Sequence, residues 1–231
     1  MRRRRLLGVL VCAGIVVALV VSNPERFHIS TSSPPLPQTI SSTPVLSARA
    51  ALDELSVKGR APKTDYSRSQ FGHGWSNDNG CDTRNRILAR DLEQTSLDQS
   101  CHVLAGVLHD PYTGKTIQFI RGPDSSDEVQ IDHVVPLSNA WQTGAQQLSL
   151  ERRISLANDP LNLLAVDGEA NQQKSDGDAA TWLPAQKAFR CQYVARQIAV
   201  KRTYSLWVTS AEKEAISTVL SACPDQQLPL P

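Results

Sequence analysis

The sequence predicts an α+β fold, and three observations carry that reading. Residues 101–108 and 116–120 are β-rich runs flanking Asp110-Pro111-Tyr112-Thr113-Gly114-Lys115, the pattern of a β-hairpin. Val129-Gln130-Ile131 and the run 161–166 are two further short strands, separated by helical segments. Apolar residues at helical intervals mark long C-terminal segments, with Phe189, Val194, Ile198 and Ala199 available to a core. The chain has 231 residues, 40% hydrophobic and 20% charged, which suits one globular domain with appended segments.

Four arginines, Arg2 to Arg5, precede the apolar run 6–21. That run is long for a signal peptide and short for a membrane span, so residues 1–21 are either a signal peptide or a retained membrane anchor. In both cases the rest of the chain is exported. Val11 before Cys12 rules out a lipoprotein signal. Residues 22–47 hold Pro24, Pro34, Pro35, Pro37 and Pro44 among Ser and Thr, a linker composition in which His28 is a solvated side chain. The folded domain spans 48–223, and 224–231 is a tail.

The net charge is +1, but removing the four leader arginines leaves 20 basic residues against 23 acidic, a net −3. No global field then draws in phosphate, and an anionic polymer would need a local basic face.

Within the domain, 48–57 has helical apolar spacing. Residues 66–75 form an aromatic, glycine-rich loop around His73. Asp82 or Thr83 caps a helix running to about Leu92. Arg84 stands in its first turn, where a cation opposes the helix dipole, so it seeks either a phosphate or a structural carboxylate. His102 and His109 sit at hairpin edges, where packing or solvent explains them. Residues 138–144 and 148–157 are helical, and Asn158-Asp159-Pro160 ends the second. A last helix covers 211–222. Between Trp182 and Tyr204 lie Lys187, Arg190, Arg196, Lys201 and Arg202 with no acidic residue, the best candidate for a phosphate-facing surface. Lys174-Ser175-Asp176-Gly177-Asp178 lacks the alternating ligands and distal Glu of a calcium loop and reads as a turn.

Asp132-His133 is the chemically pointed pair. It follows the strand 129–131 and leads into Val134-Val135-Pro136. Asn162 lies in the next apolar strand, and Asn171 follows nine residues later at the start of a helix. This order resembles the HNH nucleases of the ββα-metal class, close to the exported bacterial HNH-family endonucleases. The resemblance runs from about Tyr66 to Cys223. It implies a ββα-metal (HNH) core with a preceding β-hairpin and surrounding helices, the two helices between His133 and Asn162 being an insertion.

The resemblance also implies roles. His133 is the general base that activates water for phosphodiester hydrolysis. Asp132 and Asn171 hold a divalent ion. An Asn as the last ligand favours Mg²⁺, or Mn²⁺, over Zn²⁺. Asn162 ties the loop and helps hold His133. Lys174 faces the phosphate, with Arg84, Lys187 and Arg190 as further phosphate contacts. The implied partner is nucleic acid, DNA ahead of RNA, with membrane contact only through a retained leader. The rivals are an exported binding module on the same fold and a metallohydrolase of a non-nucleic ester.

Four cysteines lie outside the leader and none forms Cys-x-x-Cys, so no zinc ribbon is expected. Export favours two disulfides. Pairing by neighbourhood gives Cys81–Cys101 and Cys191–Cys223, one of three possible connectivities.

Overall fold

A computed structural model describes residues 46–123 and 125–229. The signal-or-anchor segment 1–21 and nearly all of the linker lie outside the described residues. Among those described, no helix is long and apolar enough to cross a membrane.

The fold is mixed α+β. The helices are α1 (Ala48–Glu54), α2 (Thr83–Asp91), α3 (Leu137–Gln142), α4 (Leu150–Asn158), α5 (Gly168–Lys174), α6 (Arg190–Thr203) and α7 (Ser210–Ser221). The strands are β1 (Asn77–Asp78), β2 (Cys81–Asp82), β3 (Glu93–Leu97), β4 (Val103–His109), β5 (Thr116–Ile120), β6 (Val129–His133) and β7 (Leu163–Asp167). They form three antiparallel sheets, β1-β2, β3-β4-β5 and β6-β7.

The predicted hairpin is β4-β5, in register from Ala105↔Ile120 to His109↔Thr116. β3 adds an edge strand that the sequence reading missed. Its residues are polar and mostly exposed, and its pairing with β4 breaks register, so no period-2 apolar pattern marks it.

The central element is the β6-β7 hairpin, in register from Val129↔Asp167 to His133↔Leu163. Every β7 residue is buried, which explains why Leu163-Leu164-Ala165-Val166 reads as an unbroken apolar run. Val129, Ile131, Leu163 and Ala165 pack with Ile87 and Leu88 of α2. Leu164, Val166 and Val134 pack with Tyr193, Val194 and Ile198 of α6. The hairpin is therefore clamped from both sides.

α5 follows β7 directly. Asp167 caps it by accepting from the Ala170 amide at 2.9 Å. A Cβ on Gly168 would stand 2.1 Å from the Asp127 carbonyl oxygen, so only glycine lets α5 start this close to the approach to β6. A third cluster, built on Phe71, Trp141, Leu156 and Leu206, supports α3 and α4 between the two strands.

The ends of the domain are tied together. Ser47 caps α1, and Ala48 donates to the Gln226 carbonyl at 2.8 Å. Leu228 packs on the core, so residues 224–229 are part of the packed body.

The disulfides are Cys81–Cys101 and Cys191–Cys223, closing separations of 20 and 32 residues. The first staples the start of α2 to the start of β4, and the second α6 to the end of α7. Loops of these lengths are worth about 3–4 kcal/mol each in the chain-entropy model. Reduction should therefore lower Tm by about 10 °C per bridge in a domain of this size. Melting with and without reductant checks this, and an unchanged Tm would show that the bridges do not constrain the chain.

Candidate active site

β6 ends in Asp132-His133 at the floor of an open polar cleft of about 680 Å³. Gln130, Asn171 of α5, Ser138 of α3 and Asp176 share its lining. Asp132, His133 and Asn171 are thus brought together as the sequence order implied.

His133 is buried, and its Nε2–H donates to the Ala157 carbonyl at 2.9 Å. That bond fixes the neutral tautomer and leaves Nδ1 with the lone pair. The indole of Trp75 stacks on the imidazole, centroids 5.7 Å apart and planes 14° apart. Burial pushes the imidazole down to about 4. The Ala157 carbonyl and Asp132 oppose that shift, while the Arg68 and Lys174 charges add to it. His133 is therefore a free base at neutral pH.

His133 binds its proton at about 4 folded against 6.5 unfolded. Between those values the unfolded chain holds a proton that the folded chain refuses, so stability is complete above 6.5 and falls as pH drops towards 4. The full loss is roughly 3 kcal/mol. In EDTA, urea unfolding at pH 7 and 4.5 should show wild type losing about 2–3 kcal/mol more than His133→Gln, a difference fixed by the same linkage. Equal losses would show that His133 is not held neutral by burial.

Asn162 is fully buried and acts as a clasp. Its Oδ1 accepts from the Val135 amide at 2.8 Å, and its Nδ2 donates to the Val135 and Leu156 carbonyls, both at 3.3 Å. It ties the loop after His133 to the end of α4, whose Ala157 orients the imidazole. It does not line the cleft, so it stands behind His133 and not beside the substrate space.

Lys174 departs from the sequence reading. Its ammonium is fully buried, 2.9 Å from Asp132 Oδ1 and 2.9 Å from the His133 carbonyl. The α5 turn carries it under the strand, not into the cleft. Burial lowers its pKa, and the Asp132 charge opposes that. The other oxygen of Asp132 accepts from the Tyr112 hydroxyl, which is itself fully buried. Tyr112 went unremarked in the sequence because it sits in the hairpin turn. That turn folds back over the core.

The remaining predicted phosphate contacts are also redirected. Arg84 donates to the Ser126 and Val129 carbonyls at 3.4 and 3.3 Å and so braces the approach to β6. Lys187 and Arg190 line a separate, mostly apolar groove with Leu183 and Val219, and Arg190 is bonded to the Pro184 carbonyl at 2.7 Å. Lys201 pairs with buried Glu212 at 2.8 Å, Arg202 with Glu54 at 3.0 Å, and Arg196 holds the Leu161 carbonyl at 3.0 Å. The basic run is therefore mostly a set of structural fasteners. Composition reveals charge but not which carbonyl or carboxylate meets it.

Sequence reasoning missed Arg68. It is exposed, lines the cleft beside His133, and has no carboxylate partner among the described residues. Nearby Lys63 is held by Asp176 at 3.1 Å.

The donor set bears on a metal. No group of three or more His, Cys, Asp or Glu side chains could hold an ion among the described residues. A hard ion that keeps its waters needs only one or two carboxylates. Asp132 retains unused lone pairs on both oxygens. The Asn171 amide donates through Nδ2 to Gln130 Oε1 at 2.9 Å, leaving its own oxygen for the cleft. Asp132 and the Asn171 amide oxygen are therefore the oxygen donors in the cleft that could hold a hard divalent ion.

The site thus sets a buried imidazole and a buried carboxylate on the floor of an open polar cleft in a small mixed domain. Residues 82–219 match the family described as GmrSD restriction endonucleases, C-terminal domain. The chain belongs to this family, and that membership points to a nuclease-type role. It is 38% identical over 198 residues to a protein of Arthroderma benhamiae described as an uncharacterized secreted protein, covering 84% of this chain and 93% of that one. No solved structure matches the chain.

Proposed function

We propose that the chain is an HNH-type, metal-dependent endonuclease that hydrolyses phosphodiester bonds in nucleic acid, and that β6, β7 and α5 are its ββα-metal core. The observation that carries this is the imidazole of His133. It is locked by the Ala157 carbonyl in the tautomer that leaves one basic nitrogen, beside Asp132 and Asn171 on the cleft floor.

His133 takes a proton from a water at Nδ1, the resulting hydroxide attacks phosphorus, and the bond to the leaving 3′ oxygen breaks. Arg68 is the cation placed to meet the phosphate. Pairing with that anion also removes one of the charges that depress His133, so substrate binding raises the base towards a more effective pKa. Asp132 and Asn171 would hold a divalent ion, which when bound would supply Lewis-acid stabilisation of the phosphate and leaving-oxygen charge. Asn162 and Trp75 hold the imidazole in place.

Nucleic acid is the proposed partner, DNA ahead of RNA. Export is supported by the two disulfides, which persist in oxidising compartments, and by the relative's description as secreted. One observation favours a non-catalytic binding module instead: both oxygens of Asp132 are already engaged by Tyr112 and Lys174.

The metal role is best tested at Asn171, because altering Asp132 would strand the buried Lys174 charge. Asn171→Ala should raise the Mg²⁺ needed for half-maximal cleavage of plasmid about tenfold, the low end of what loss of a metal-site group costs. A titration that overlays wild type removes Asn171 from the metal shell.

A further inference from the structure

Two cavities meet at His133. One is the polar cleft. The other, about 190 Å³, is walled by Phe71, Trp75, Leu137, Ala157 and the loop 72–74, and shares Arg68, His133 and Leu137 with the cleft. At ~30 Å³ per water it has room for about six waters, enough for one ring system and not for a stacked pair. The wall is preformed. Gly72 and Gly74 hold φ +95° and +96°, which side-chain-bearing residues rarely adopt. The Gly72 amide donates to the Ser69 carbonyl at 3.1 Å, and Arg153 grips the Gln70 carbonyl at 2.7 Å. Residues 68–75 precede the segment that matches the family, whereas His133, Leu137 and Ala157 lie within it, so the slot is walled partly from outside the matched part.

A slot of mixed polar and apolar lining with Trp75 in its wall, opening beside a guanidinium that has no carboxylate partner among the described residues and next to the cleft of His133, has the chemistry of a nucleotide in reverse. The ring goes to the slot, the phosphate to Arg68, and the ester bond to His133. We propose that this slot is a nucleobase subsite, and that the enzyme therefore acts on single-stranded or locally unpaired nucleic acid. A base stacked and paired in a duplex cannot reach it without leaving the helix. Aromatic stacking accepts any base, so the subsite confers strandedness and not sequence. This rests on the nuclease reading of the cleft.

The test is equilibrium binding of the full chain in EDTA, where cleavage plays no part. The probes are a fluorescent 12-nucleotide single strand, the same strand with abasic residues throughout, and the matching duplex, at one fixed salt concentration. The intact strand should bind about tenfold more tightly than the abasic strand, a typical stacking contribution, and the duplex no better than the abasic strand. Trp75→Leu, shown folded by its melting curve, should bring the intact and abasic strands to within about twofold of each other, since the slot loses the part-exposed indole of its wall. Equal binding of intact and abasic strands by the wild type overturns the subsite. So does a preference for duplex, binding of no strand, or undiminished discrimination in folded Trp75→Leu. Base-dependent binding without any cleavage in Mg²⁺ would leave the subsite standing and remove only the catalytic reading.

Discussion

Replacing Lys174 with methionine should cost about 3–5 kcal/mol of folding stability, because it removes one partner of a fully buried ion pair. The fully buried ammonium is 2.9 Å from Asp132 Oδ1, and the Asp132 side chain is only 5% exposed at the cleft floor, so its loss leaves a nearly buried carboxylate charge with the Tyr112 hydroxyl as its remaining side-chain partner. Lys174 also satisfies the His133 carbonyl, which would be left bare at the end of β6. Against a typical total of about 5–15 kcal/mol, that is a large share of the domain's stability. Chemical denaturation of the single variant and of Asp132→Asn/Lys174→Met checks it. The double variant should recover part of the loss, since neutralising both partners removes the stranded charge. A single variant within about 1 kcal/mol of wild type, the range of an exposed pair, would return Lys174 to the solvent side, as the sequence spacing implied.

The second large effect is on activity. His133→Ala should reduce kcat by about 10²–10⁴, the usual weight of a positioned general base. The far-ultraviolet circular dichroism should be unchanged, because β6 keeps its backbone pairing with β7 and Asn162 still clasps the loop. Asn162→Ala separates the two roles. It removes a buried clasp, so it should lower stability and activity together, whereas His133→Ala should lower activity far more than Tm. Wild-type turnover in folded His133→Ala would end the base assignment.

Much of the site was legible because it is local. Asp132-His133, the apolar run of β7 and the helix carrying Asn171 lie in a short stretch whose β-rich and helical patterns are clear, and the structure puts Asp132, His133 and Asn171 in one cleft with β7 paired to β6 in the core. The β4-β5 hairpin was equally plain from its Pro/Gly turn. What could not be read is set by long-range packing. Tyr112 reaches Asp132 only because the hairpin turn folds onto α6 and the core. Lys174 looked like a surface cation one turn after Asn171, yet the helix rotation sends it inward. Trp75 and Arg68 come from a glycine-rich loop that shows no period, and their approach to His133 depends on α4 and Phe71. The basic run of α6 misled for a simple reason: long cationic side chains cap carbonyls and fasten helices as readily as they bind phosphate. The polar edge strand β3 carries no apolar alternation, so only its ladder to β4 reveals it.

Phosphodiester hydrolysis is the activity proposed for the cleft around His133. The most direct test is incubation of the purified protein with a single-stranded oligonucleotide, a supercoiled plasmid and a chromogenic phosphodiester, each in Mg²⁺ and in EDTA, with His133→Ala alongside. Strand cleavage is expected in Mg²⁺, none in EDTA, and at least a hundredfold less with His133→Ala. Intact nucleic acid in every Mg²⁺ reaction, or cleavage that His133→Ala retains in full, would contradict it.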